Sequence, residues 1–166
     1  MRLGADAIAI AAYVRGRSEA RCLRIVADNV RDAAHFDLPV ICHIYPRDAG
    51  DLSRISFAAD DVAWAVRCAT EVGVDVIKTP YCGDVLAHSQ IVAECPVPVV
   101  AAGGPRHETL EGALDMMTAV VQSGARGATI GRNVWSFPQV TRAVLAFKAV
   151  IHDEKSPEDA LRSAGL

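Results

Sequence analysis

The chain has 166 residues, 51% of them hydrophobic, with 17 basic against 20 acidic side chains and a formal net charge of −3. That suffices for one good core and is too short for two ordinary domains, so residues 1–166 are expected to form a single domain. The slight acidity offers no basic footprint for nucleic acid and no polybasic membrane patch, which leaves a small molecule or another protein chain as the expected partner.

In chain order, the run from Asp6 to Val14 reads as a strand, followed by a stretch of helical period from Ser18 to Phe36 with Ser18 as its N-cap. The run LPVICHIYP from Leu38 reads as the next strand, and residues 57–73 as a helix capped by Ser56 and stopped by Gly73. VDVIKT from Val74 is a third strand, and VLAHSQIVAEC from Val85 a short helix. VPVVAAGG from Val97 is a fourth strand, residues 108–124 a helix ending at Gly124, and ARGATIG from Ala125 a fifth strand, after which Asn133 opens a short helix. From His152 the chain reads as a polar tail with a short helix suited to subunit contacts. Trp64 and Met116-Met117 fall at helical spacing and are expected between helix and sheet, Trp135 beneath the neighbouring loop, and Asp60-Asp61 in a solvated first turn.

Strand and helix alternate, so the fold class is α/β with a parallel sheet. An open doubly wound sheet usually carries G-x-G-x-x-G after its first strand, and that pattern is missing here. A (β/α)8 barrel sets its chemistry at the C-terminal ends of several strands. Tyr45, Lys78, Gly103-Gly104 and Gly131-Arg132 each stand at such an end, which favours the barrel. A whole TIM barrel needs about 250 residues and eight strands, so five strands make this a partial barrel.

Alternation places Val74, Val76 and Lys78 on one face, and a lysine at a barrel mouth is desolvated into a neutral amine able to attack a carbonyl. The plainer alternative is a strand-end lysine that snorkels to water. Ile41, His43 and Tyr45 share a face, so the Tyr45 hydroxyl can exchange a proton near a bound carbonyl, or simply sit at a wet rim. His43, one pleat deeper, lines the pocket or is a core histidine. Gly103, Gly104 and Gly131 let backbone N–H groups approach an anion, and Arg132 adds a cation beside them, a pattern that suits a phosphate. Five cysteines (Cys22, Cys42, Cys68, Cys82, Cys95) without a C-x-x-C pair, and five scattered histidines, predict reduced thiols in a cytoplasmic protein and no metal site. No span long and apolar enough for a membrane is expected, and MRLGADAIAIAAYVRG makes a poor secretory signal.

The ordered set Tyr-Pro-Arg, Ile-Lys-Thr-Pro-Tyr, Ala-Gly-Gly-Pro and Gly-Arg-Asn-Val-Trp resembles the class I aldolases of the archaeal fructose-bisphosphate type, a DeoC/LacD-like group. That group also holds the aminodideoxyheptulosonate synthases and the thiolase that processes phosphorylated autoinducer-2. The resemblance runs from Gly4-Ala5-Asp6 to about Ile151. It implies a barrel in which Lys78 forms a Schiff base with a ketose phosphate, Tyr45 is the general acid/base, and Gly103, Gly104, Gly131 and Arg132 hold the phosphate. No cofactor is implied, and the substrate is a small phosphorylated sugar or ketone. His43 and Ala102 stand where some relatives have tryptophan and serine, positions that bear on substrate choice. Relatives carry three further strands before Gly4-Ala5-Asp6, the first with an acidic active-site residue, so the chain is expected to supply strands four to eight. Aldol cleavage is the leading expectation, with the thiolase or transaldolase reaction as alternatives and a non-catalytic barrel fragment as another. Open sheet edges lead to the expectation of a homo-oligomer.

Overall fold

In the computed structural model, which describes residues 4–166, five parallel strands stand side by side in the order in which the chain makes them. They are β1 (Ile8–Val14), β2 (Val40–Pro46), β3 (Val76–Thr79), β4 (Val99–Ala102) and β5 (Ala128–Thr129). Helices α1 (Glu19–Ala34), α2 (Ala59–Glu71), α3 (Val85–Ala93) and α4 (Leu110–Gln122) form the crossovers, and α5 (Arg132–Trp135), α6 (Val140–Asp153) and α7 (Pro157–Ala164) follow β5. Right-handed crossovers in a sheet that grows in one direction put each helix on the same face. A doubly wound sheet reverses direction and covers both. The monotonic order is therefore the wall of a (β/α)8 barrel, five consecutive strands of it among the described residues.

The two faces of that wall differ, and the alternation of side chains shows it. In β2, Val40, Cys42, Ile44 and Pro46 are buried while Ile41, His43 and Tyr45 are half-buried. The buried set faces the helices. There it joins Ala12, Val14, Ile77 and Val99 from the other strands and Val62, Ala65, Val66 and Ala69 from one stripe of α2. A second core forms around α4, α6 and α7, with Leu114, Met117, Phe147 and Val150 at its centre. The other face of the sheet is the one that turns toward a barrel axis. It carries small or half-open residues, among them Ala9 and Ala11 of β1, which lie in register with Ile41 and His43.

The five strands fall where the apolar runs do, but each begins two or three residues later. Val74 shows why: it is only 2% exposed, yet it belongs to the helix-side core and precedes the strand. Apolarity reports burial, and ladder pairing starts later. The expectation that Val74 shares the Lys78 face is thus corrected, whereas Val76 does share it. Ser56 is not an N-cap; α2 starts behind Ala58, and the Ser56 hydroxyl instead donates to Asp61 at 2.7 Å. Ser18 holds the N-cap position of α1 without a capping bond. Caps do occur at Asp84, Thr109 and Ser156, each of which accepts a backbone N–H of the helix it opens.

Trp64 does not wedge between helix and sheet. It is 41% exposed; its Nε1–H donates to Glu19 at 3.2 Å, and the Arg15 guanidinium lies 4.8 Å from the ring centroid. Of Asp60-Asp61, Asp60 is exposed as expected and Asp61 is pinned between Arg15 and Ser56. Met117 is fully buried. The C-terminal tail is more than a polar linker: α7 buries Ala160 and Ala164 in the second core, and the Arg142 guanidinium donates to the Gly165 carbonyl at 2.5 Å.

Candidate active site

At the C-terminal ends of β2 to β5 lies a cleft of about 470 Å³ whose lining includes Tyr45, Lys78, Gly103, Gly104, Gly131 and Arg132. Strand alternation explains the lysine's place. Ile77 and Thr79 are buried toward the helices, so Lys78 points the other way, into the cleft. Burial lowers its pKa from the ordinary lysine value, because an ammonium loses hydration there.

Tyr45 stands one strand away, its ring centroid 5.9 Å from that of Tyr13, its register partner on β1. Tyr13 is in turn covered by the Arg47 guanidinium at 3.9 Å. Burial raises the Tyr45 phenol pKa, and Tyr13 adds to the shift, so the hydroxyl keeps its proton at neutral pH. His43 is the residue in register with Lys78. Burial first and the Lys78 charge second depress its pKa, which favours a neutral imidazole. It lies beneath the cleft and does not line it, whereas Ala102 does.

The far rim is made of backbone. Gly104 has a φ of +69°, a left-handed conformation that calls for glycine, whereas the Met116 side-chain tip that a Cβ there would meet at 2.9 Å can swing aside. At Gly103 the constraint is a close approach: a Cβ would sit 3.0 Å from the Ile130 Cα on the neighbouring strand end. Arg132 bridges the two turns through Nη2, which donates to the Gly104 carbonyl at 3.3 Å. Bare amides beside a guanidinium form a surface on which an anion can rest. Among the described residues no three His, Cys, Asp or Glu side chains gather as a metal site, and no helix is long and apolar enough to cross a membrane.

The chain order of the motifs therefore becomes a spatial order around one mouth. Seven lining residues were not foreseen as such, Pro80, Pro105 and Thr129 among them. Trp135 is 67% exposed and leans its ring against Gly131 from the open side instead of packing beneath the loop. Ile55 and Phe57 arrive on the loop after β2, folded back by an antiparallel bridge between Arg47 and Ile55. Nothing in their local sequence announces that fold-back. Arg106, by contrast, was legible in principle, since it follows the Gly-Gly-Pro turn directly.

Comparison with known proteins bears on the family and the fold. Residues 1–137 match the family model of the DeoC/LacD family aldolases. The chain is 37% identical to a 2-amino-3,7-dideoxy-D-threo-hept-6-ulosonate synthase of Halobacterium salinarum over 100% of its own length and 61% of that protein. It is 33% identical to a class 1 fructose-bisphosphate aldolase of Thermoproteus tenax over 96% of its own length and 60% of the relative. One solved structure holds an archaeal fructose-1,6-bisphosphate aldolase with its catalytic lysine covalently bound to the carbinolamine intermediate of the substrate. It superposes with a TM-score of 0.83 at 33% identity, covering 90% of this chain and 59% of that one. The chain thus spans about 60% of the length of the proteins it matches.

Proposed function

The chain belongs to the DeoC/LacD family of aldolases, and from that premise we propose that its cleft works as a class I aldolase site on a phosphorylated ketose. The observation that carries the reading is the meeting of Lys78, Tyr45 and the glycine-arginine rim in one cleft. Neutral Lys78 Nζ adds to the ketone carbon, and the carbonyl oxygen takes up a proton to give a carbinolamine. Loss of water leaves an iminium. The neighbouring carbon–carbon bond then breaks, its electron pair flowing to the iminium nitrogen, while Tyr45 handles the proton of the hydroxyl that becomes the aldehyde. Protonation of the enamine and hydrolysis release the ketone and restore Lys78. Gly103, Gly104, Gly131 and Arg132 hold the phosphate at a distance from the reacting carbons, which orients the ketone toward Lys78. Ala102 shapes the space between, and His43 supports Lys78 from beneath as its register partner. No metal or other cofactor enters the scheme.

The test is to incubate the protein with dihydroxyacetone phosphate, reduce with borohydride and map the adduct by mass spectrometry. An adduct on Lys78 is expected, and a folded protein that forms none overturns the reading in favour of a non-catalytic barrel fragment. A transaldolase reaction of the heptulosonate-synthase kind is the second reading, supported by the higher identity to the Halobacterium synthase. Product analysis with each substrate pair separates the two. The same proposal takes the protein as a cytoplasmic homo-oligomer, since β1 and β5 are outer strands of the described sheet with one edge each unpaired. Light scattering is expected to give a multiple of 17.6 kDa.

A further inference from the structure

Asn133, the second residue of α5, does not line the cleft, yet it is 1% exposed and bonded at each polar atom. Its Nδ2 donates to the carbonyls of Gly103 and Pro105, both at 2.7 Å, and its Oδ1 accepts the His107 N–H at 2.8 Å. One side chain from the β5 end thus holds three backbone groups of the loop after β4.

The consequence follows from peptide geometry. The described residues contain no cis peptide, and in a trans peptide the N–H points opposite to the C=O. Holding the Gly103 carbonyl turns the Gly104 N–H away from Asn133, and holding the Pro105 carbonyl does the same for the Arg106 N–H. The peptide between them has no N–H, because Pro105 follows Gly104, and its carbonyl is taken by Arg132. Neither the Gly104 nor the Arg106 amide meets a backbone acceptor among the described residues, and both residues line the cleft. Three carbonyls that would repel an anion are thereby occupied, and two amides and the remaining N–H groups of the Arg132 guanidinium are left to meet one.

We propose that Asn133 is the positioning residue of this anion subsite: it sets the Gly103–His107 loop with two amides turned to the cleft before any phosphate arrives. This rests on the phosphate reading of the rim and adds the residue that builds it.

The experiment titrates inorganic phosphate into nitrogen-15-labelled wild-type chain and into Asn133→Ala, following the Gly104 and Arg106 amide resonances. In the wild type both resonances shift saturably, and in the variant the affinity falls about tenfold or more, the scale of lost hydrogen bonds to a charged group. A merely structural role would weaken each ligand alike. Borohydride trapping on Lys78 therefore compares dihydroxyacetone phosphate with unphosphorylated dihydroxyacetone, and only the phosphorylated ketone should lose half-saturation. An unchanged phosphate affinity, or an equal loss with both ketones, overturns the assignment of Asn133 alone. A wild-type chain whose amides ignore phosphate overturns the phosphate reading and this proposal with it. For a variant that does not fold, the wild type supplies its own readout: the Asn133 side-chain N–H protons and the His107 amide exchange slowly with solvent, and exchange at the rate of an exposed amide overturns the proposal.

Discussion

Lys78 stands at the end of a strand whose neighbours on either side bury their side chains among helices, so its own is left in a half-closed cleft. The pKa of its ammonium is lowered by that burial. The sign of the effect on reactivity follows directly. The free amine attacks the ketone, and a lowered pKa puts more free amine at a given pH. The rate of borohydride-trapped adduct formation is expected to rise with pH and level off with a midpoint below the ordinary lysine value of about 10.4. A midpoint at or above that value would show that burial does not activate this amine. At this scale the sequence was informative, because period-two alternation already sets Ile41, His43 and Tyr45 on one face. The pairing of His43 with Lys78 was not legible, since inter-strand stagger depends on how two distant segments dock.

Among the elements, β4 and β5 meet at a close junction. Gly103 N–H donates to the Thr129 carbonyl, and the bare Cα faces the Ile130 backbone. Gly103→Ala places a methyl 3.0 Å from the Ile130 Cα. Backbone cannot swing aside as a side-chain tip can, so the variant is expected to lose about 1–3 kcal/mol of stability, the usual range for overpacking. Chemical denaturation measures it, and a variant as stable as the wild type would show that the junction yields freely. The apolar runs announced this pair of strands but stretched them. ARGATIG reads as a full strand, whereas only Ala128 and Thr129 pair. The flanking glycines and the turn into α5 end the ladder early. Conversely, Asp84 and Thr109 cap α3 and α4 by a rule the sequence carries openly, while Ser56, an equally good capping residue, sits two residues before the N-cap position at Ala58 and bonds Asp61 instead.

For the molecule as a whole, one contribution to the pH response of folding comes from His88. It is fully buried on α3 with its ring edge-on to Tyr81 at 5.1 Å, and neither ring nitrogen has a partner among the described residues. Burial pushes its pKa down from 6.5 to about 4. Above pH 6.5 the imidazole is neutral in both states and adds no pH dependence. Between 6.5 and 4 the unfolded chain takes up a proton that the folded one refuses, so stability falls as pH falls, by about 3 kcal/mol at the lower limit. His88→Phe is expected to flatten the slope of stability between those pH values, as read by urea denaturation. A slope equal to the wild type's would place the acid sensitivity elsewhere. By itself the sequence determined the alternation of strand and helix, the face of Lys78 and Tyr45, and the glycine turns at the strand ends. These follow from local periodicity and backbone freedom, which a chain carries with it before it folds. The tertiary structure decided the strand register beside Lys78, the fold-back of Ile55 and Phe57, the outward place of Trp64 and Trp135, and the grip of Asn133 on the loop after β4. Each of those joins segments far apart in the chain, and only the packing of one element on another brings them within reach.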